Sequence, residues 1–172
     1  PAPLSATSAP TALAAAGDEQ WDDRFGMLGT DEPVTAAAST ADGTLYVIVR
    51  ERYVLRWDGR CWQQIGDVGA IGAVRAIALM GGRLYVAGAF TQFGGAPIRY
   101  LASWDGSTWS QVGSGEGPQV ADGFTQPEIN ALAAAGGTLY VGGHFDSIDG
   151  VGATSVAAWD GSAWSALSGG LQ

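Results

Sequence analysis

The chain has 172 residues and a mass of 17.6 kDa, with a net charge of −9, eight arginines, no lysine, 27 glycines, seven tryptophans, one histidine and one cysteine. At roughly 100–200 residues per domain this length holds one core, and the acidic balance excludes the basic face that a nucleic-acid backbone or an anionic membrane would need. No run reaches the ~18 consecutive apolar residues of a membrane helix. Cys61 alone cannot form an intrachain disulfide, and with His144 it is too little for a zinc site.

Residues 1–16 (PAPLSATSAPTALAAA) are an Ala/Pro/Ser/Thr tract without periodicity, which reads as a flexible leader. The tract has no basic n-region and no initiator Met, so it is not an intact signal peptide. Such segments often follow a removed one, and an extracytoplasmic location (secreted, periplasmic or cell surface) is the expectation.

Residues 17–172 carry an internal repeat, the feature to be read first in any chain that has one. Residues 74–113 (VRAIALMGGRLYVAGAFTQFGGAPIRYLASWDGSTWSQVG) and 129–167 (INALAAAGGTLYVGGHFDSIDGVGATSVAAWDGSAWSAL) match in order and nearly in length. Residues 35–66 keep the G-x-L-Y-V and W-D-G-x-x-W signatures but shorten the segment between them. Tyr46 and Trp57 are 11 positions apart, against 19 for Tyr85 to Trp104 and 19 for Tyr140 to Trp159. Ahead of these, Trp21 to Gly29 imitates the second half of a unit, with Phe25 in place of the second tryptophan. The predicted organisation is therefore a half unit at 20–31 and whole units at 34–68, 73–114 and 128–170.

Each whole unit reads as four short antiparallel strands. An apolar strand (Ala76–Met80, Ala131–Ala135) leads through a Gly-Gly or Asp-Gly turn, whose permissive φ suits tight hairpins, into Leu-Tyr-Val. A third strand ends at the first tryptophan, Asp-Gly turns the chain, and a fourth strand begins at the second tryptophan. Four strands every 40–55 residues with Gly and aromatic markers at fixed offsets are the cue for propeller blades, and sandwiching between neighbours explains strands that are apolar on both faces. The predicted fold class is all-β, with β-propeller blades of four antiparallel strands, three whole and one half, forming part of a larger closed ring.

At W-D-G-S-x-W combined with G-G-x-L-Y-V-x-G, the repeat resembles kelch-like propeller blades, especially the W-D-G variety of secreted bacterial proteins and fungal cortical polarity markers. The resemblance covers roughly residues 21–170 and implies the fold, whereas propellers host enzymes, lectins and scaffolds alike. The galactose-oxidase branch of such proteins is a copper enzyme that needs several His and Tyr ligands and a Cys–Tyr crosslink. This chain, with one His and one Cys, cannot supply that site.

Closed propellers have about 4–8 blades, so three and a half call for completion. The candidates are further residues of a longer propeller, another protein chain, or further copies of this chain. Two copies would supply six whole blades, but two half blades of the same kind cannot complete each other.

In such a blade the second-to-third and fourth-to-first connections share one face of the disc. The long segments Gly66–Ala73, Gly88–Tyr100, Gly113–Glu128 and Gly142–Val156 then gather there, which makes that face the candidate binding site. The residues singled out on it are Arg50, Arg52, Phe93, Arg99, Tyr100, Phe124, His144, Asp146 and Asp149. The pairs Trp57/Trp62, Trp104/Trp109 and Trp159/Trp164 recur at one offset and read as blade packing. Asp58, Asp105 and Asp160 precede glycine and read as turn formers. Asp146 to Gly150 lacks the alternation and later Glu of a calcium loop, and Cys61, beside Trp62 in a strand, reads as a buried thiol.

No catalytic residue, metal site or cofactor is assigned. The predicted function is a non-enzymatic scaffold for protein–protein interaction or assembly, with a carbohydrate-binding propeller and a fragment of a larger propeller enzyme as alternatives. Expected partners are another chain or further copies of this one, with glycan as a further candidate, and neither nucleic acid nor membrane insertion.

Overall fold

The computed structural model describes residues 33–167, so the leader at 1–16, the half unit at 20–31 and the end of the last unit at 168–170 lie outside the described residues. Within that span there are fifteen strands and no helix. The first sheet is β1 (Val34–Ser39), β2 (Leu45–Val49), β3 (Tyr53–Trp57) and β4 (Trp62–Asp67). The second is β5 (Ala73–Met80), β6 (Arg83–Ala89), β7 (Leu101–Trp104) and β8 (Trp109–Gln111), followed by the short strand β9 (Pro118–Gln119). Next come β10 (Glu128–Ala135), β11 (Thr138–His144), β12 (Ser147–Ile148), β13 (Val151–Gly152), β14 (Val156–Trp159) and β15 (Trp164–Ala166).

The strands pair as three antiparallel four-stranded sheets, β1-β2-β3-β4, β5-β6-β7-β8 and β10-β11-β14-β15, and one small sheet, β13-β12-β9. Each large sheet corresponds to one repeat unit. Sequence periodicity did not anticipate the small sheet.

The three large sheets share their register in detail. Each inner strand carries an irregularity at the same place, between Val34 and Ala36, Val74 and Ala76, and Ile129 and Ala131. The extra residue of such a bulge increases the local twist of the strand. Opposite it, Gly88 and Gly143 lie so close to the carbonyls of Ala73 and Glu128 that neither position has room for a Cβ.

At the outer edge of each sheet the tryptophans face each other across the last hairpin, in register Trp57↔Trp62, Trp104↔Trp109 and Trp159↔Trp164. Their ring centroids lie 5.5, 5.1 and 5.1 Å apart, a tilted arrangement favoured by the aromatic quadrupole. The intervening aspartates close the turns: the Asp105 carboxylate accepts hydrogen bonds from the Ser107 and Thr108 amides, and that of Asp160 from the Ser162 and Ala163 amides, all at 2.8 Å. Asp58 does the same for Arg60 and Cys61 at 2.8 and 2.9 Å.

Cys61 departs from its expectation. It is exposed, because β4 begins one residue later at Trp62 and Cys61 belongs to the turn, with Sγ 3.8 Å from Asp58 Oδ2.

Two clusters form the core, one on each side of the second sheet. Leu84 and Val86 of β6 join Tyr46, Ile48 and Val54 of the first sheet, whereas Tyr85 and Ala87, the alternate residues of the same strand, join Leu139, Val141 and Ala157 of the third. Because successive side chains of a strand point to opposite faces, an all-apolar strand is the expected sequence for a sheet packed on both sides.

Candidate functional site: the loop-bearing end

The hairpin turns after β1, β5 and β10 and the aspartate turns after β3, β7 and β14 occupy one end of the sheets. The opposite end carries the remaining connections, and backbone hydrogen bonds tie these to one another across sheets. Val74 donates to Glu51 O at 2.5 Å, Gly94 to Asp67 O at 2.9 Å and Asp149 to Gly117 O at 3.0 Å.

The connections β6–β7 and β11–β14 are built to one plan. A Gly94-Gly95 or Asp149-Gly150 turn, with φ of 58 and 81° or 46 and 80°, brings Phe93 against Ala96 and Ile148 against Val151. Positive φ at both central residues matches the two-residue hairpin turn best suited to strand twist. Each connection ends on a residue in the left-handed region, Tyr100 (φ 60°) or Ser155 (φ 63°). There the amide donates back to Phe90 O or Phe145 O, while Tyr100 O or Ser155 O accepts from Gly88 or Gly143.

Phe93, expected on the binding face, is instead completely buried. Its ring packs edge-on against Trp109 with centroids 4.6 Å apart and fills the space over Gly66, where a Cβ would come within 2.6 Å of the ring. Ile148 is its buried counterpart in the third sheet. The hairpin thus points an apolar side chain inward, because a turn lying over the preceding sheet removes more apolar area from water than one standing free.

Asp146 and Asp149 act as structural acceptors in this end of the molecule. Asp149 Oδ1 accepts from the Gly117 amide at 2.7 Å, and Oδ2 from the Ser114 amide and Trp164 Nε1 at 2.8 and 3.0 Å. Asp146 Oδ2 accepts from the Ala121 amide at 2.8 Å, and its own amide donates to Gln119 O. Pairing of β9 with β12 completes this fastening of the 112–127 connection to the third sheet. Among the described residues, no group of three or more His, Cys, Asp or Glu could hold a metal ion.

The remaining sequence-derived residues are spread over the same end. Arg99 is exposed, with its amide donating to Gln111 Oε1, and Tyr100 is half-buried. Arg50 is exposed on the β2–β3 turn, and half-buried Arg52 lies with its guanidinium carbon 5.1 Å from the centre of the Tyr53 ring.

Phe124 is 91% exposed. It protrudes from a turn held by Asp122, whose carboxylate accepts from the Thr125 hydroxyl and from the Phe124 and Thr125 amides at 2.6–2.9 Å. These bonds, the Thr125 hydroxyl foremost, lower the Asp122 pKa, and nearby His144, exposed at the end of β11, acts in the same direction.

Sequence reasoning passed over Ile71, 84% exposed in the β4–β5 connection. It and Phe124 occupy corresponding connections, each shortly before the inner strand of the next sheet. A lone large apolar residue inside a Gly-rich segment was the available signal. A second feature lies at the outer edge between the second and third sheets, where a shallow cavity of about 510 Å³ is lined by Ser114, Asp149, Trp159, Ser162 and Trp164 among others.

The sequence matches no protein-family model and, in a search of curated proteins, none of them.

Proposed function

We propose that the chain is a segment of a kelch-like β-propeller of the W-D-G type, that its three sheets are consecutive blades, and that it works as a non-enzymatic scaffold in an extracytoplasmic setting. The repeated register, the shared bulge and the tryptophan hairpins support the propeller reading, because a propeller blade buries both faces against neighbours of its own kind, as the second sheet does between the first and third. The loop-bearing end is the protein-binding face. The observation that carries this is the pair Ile71 and Phe124, two large apolar side chains held out in water from corresponding connections of successive sheets. Protruding aromatic and aliphatic side chains are the usual anchors of a protein interface, and rigid scaffolds present binding residues on their loops.

The test places a photo-crosslinking p-benzoylphenylalanine at position 71, at 124, or at exposed Ser107 on the opposite end as a control. A discrete protein adduct at 71 and 124, absent at 107 and competed by unlabelled wild-type chain but not by a Phe124→Asp variant, is the expected result. Equal labelling at all three positions, or none, overturns the reading.

The cavity between the outer edges of the second and third blades favours a second reading, a carbohydrate-binding propeller. Trp159 and Trp164 with neighbouring hydroxyl and carboxylate groups are the side-chain types that stack on and hydrogen-bond to a sugar. Glycan-array binding lost in Trp164→Ala and kept in Phe124→Asp would establish it in place of the first.

A further inference from the structure

We infer that Arg52, Ile71 and Arg99 together dock an acidic segment of a partner protein, one in which an apolar side chain is flanked by aspartates or glutamates. The inference rests on the reading of the loop-bearing end as the protein-binding face and gives that face its partner's chemistry.

It begins from the register. Val54 pairs with Ile48 and Leu101 with Ala87, and Ile48 and Ala87 lie opposite Ala36 and Ala76, the residues that follow the bulge. The couples just ahead of Val54 and Leu101 are therefore equivalent, Arg52-Tyr53 in the first sheet and Arg99-Tyr100 in the second. The third sheet has Thr154-Ser155 at this place, ahead of Val156. An arginine followed by a tyrosine thus recurs on two neighbouring sheets of a chain with eight arginines and no lysine.

Neither arginine has an anion. Among the described residues Arg75 pairs with Glu128 at 3.2 Å, whereas the guanidinium groups of Arg52 and Arg99 have no carboxylate within reach. Arg52 lies half-buried with its guanidinium carbon 5.1 Å from the centre of the Tyr53 ring and its Nε out of contact with water, which leaves the terminal nitrogens for a partner. Arg99 is exposed on a backbone that Gln111 grips twice, Oε1 accepting from the Arg99 amide at 2.7 Å and Nε2 donating to Arg99 O at 3.1 Å. A guanidinium on so fixed a base presents forked donors that match a carboxylate.

The β4–β5 connection touches both couples. Where it enters β5, Val74 donates to Glu51 O, next to Arg52. Gly72 lies so close to Ala89 O and Phe90 that a Cβ would not fit, and Phe90 O accepts from the Tyr100 amide. Ile71, 84% exposed, is thus an apolar contact with an unpaired arginine to either side.

Phe124 has the opposite surroundings. Asp122 holds its turn, Asp146 accepts from the Ala121 amide, and His144 is nearby. An acidic segment is repelled there and drawn to Ile71, so charge sets how the partner lies across the face. The net charge of −9 does not oppose this, since at about 0.15 M salt charges are screened beyond about 8 Å and close pairs decide.

The test selects peptides from a displayed random library against the full chain at physiological salt and measures the enriched peptide by fluorescence anisotropy. Enriched sequences should carry Asp or Glu on both sides of an apolar residue. Arg99→Gln, at an exposed position, should weaken binding about tenfold, and Arg83→Gln, at the opposite end, should leave it unchanged. Arg99→Glu should turn the selection toward lysine-bearing peptides. Arg52→Gln should act as Arg99→Gln does, with its melting temperature measured alongside because that side chain is half-buried. The photo-crosslinker at position 71 should label the acidic peptide, and at 124 it should not.

Enrichment of neutral or basic peptides by the wild type, unaltered binding in Arg99→Gln, or labelling at 124 alone overturns the inference. Any of these results with discrete protein adducts still formed at 71 and 124 removes the partner's chemistry alone and leaves the binding-face reading standing. Absence of protein adducts at both positions removes that reading and this inference with it.

Discussion

The first sheet and its two successors differ in how the second strand reaches the third. In the second and third sheets that connection carries a hairpin that sinks Phe93 or Ile148 into the core and bonds to the exit of the preceding sheet through Gly94 or Asp149. In the first sheet a three-residue connection, Arg50 to Arg52, does the whole job, with Arg50 and Glu51 at φ of 58 and 51°. Neither residue favours the left-handed region, which costs an L-residue with a Cβ about 1–2 kcal/mol. The contrast teaches that the insertion is an inter-sheet fastener: where it is absent, the turn must adopt the same handed geometry without glycine and without a buried side chain to offset the strain.

Removing the fastener tests this comparison most severely. Phe93→Ala should cost about 3–5 kcal/mol of unfolding free energy, as expected for deleting a fully buried ring, measured by urea titration with tryptophan fluorescence. A loss under about 1 kcal/mol would mean that the hairpin lies over the first sheet without fastening it.

A smaller effect separates the turn from its contact. Gly94→Ala and Gly95→Ala both place a Cβ at positive φ, worth about 1–2 kcal/mol. At Gly94, however, the Cβ also falls 2.8 Å from Trp109 Cδ1, whereas at Gly95 it meets nothing within 4 Å. Gly94→Ala should be the more destabilising of the two by thermal melting. Equal effects would show that the Trp109 ring yields freely.

The smallest change has the opposite sign. Glu51→Gly relieves about 1–2 kcal/mol of left-handed strain and gives back roughly 0.5–1 kcal/mol through the flexible unfolded chain. The net is a gain of up to about 1.5 kcal/mol, which calorimetry would register as a higher melting temperature. No gain would mean that the Glu51 side chain contributes as much as its backbone costs.

Much of the fold was legible because repetition turns one ambiguous strand into a pattern seen three times. The order of the four strands, the aspartate turns and the end on which the long connections gather all follow from local chemistry: glycine where φ is positive, alternation where both faces are covered, and a carboxylate three residues ahead of the amide it accepts from. The site was less legible. Phe93 and Phe124 both stand in Gly-rich connections, yet one is completely buried and the other almost completely exposed. Local composition cannot distinguish a turn that lies over a neighbouring sheet from one that stands clear of it.

From the sequence alone came the strand periodicity, the turn residues and the acidic, lysine-free balance, since each depends on residues within a few positions of one another or on simple counts. Tertiary structure alone decided which side chain of each long connection is buried, that Asp149 fastens the 112–127 connection, and that Cys61 is exposed. Those outcomes depend on what lies on the far side of a sheet, and that is fixed by packing between segments distant in the chain.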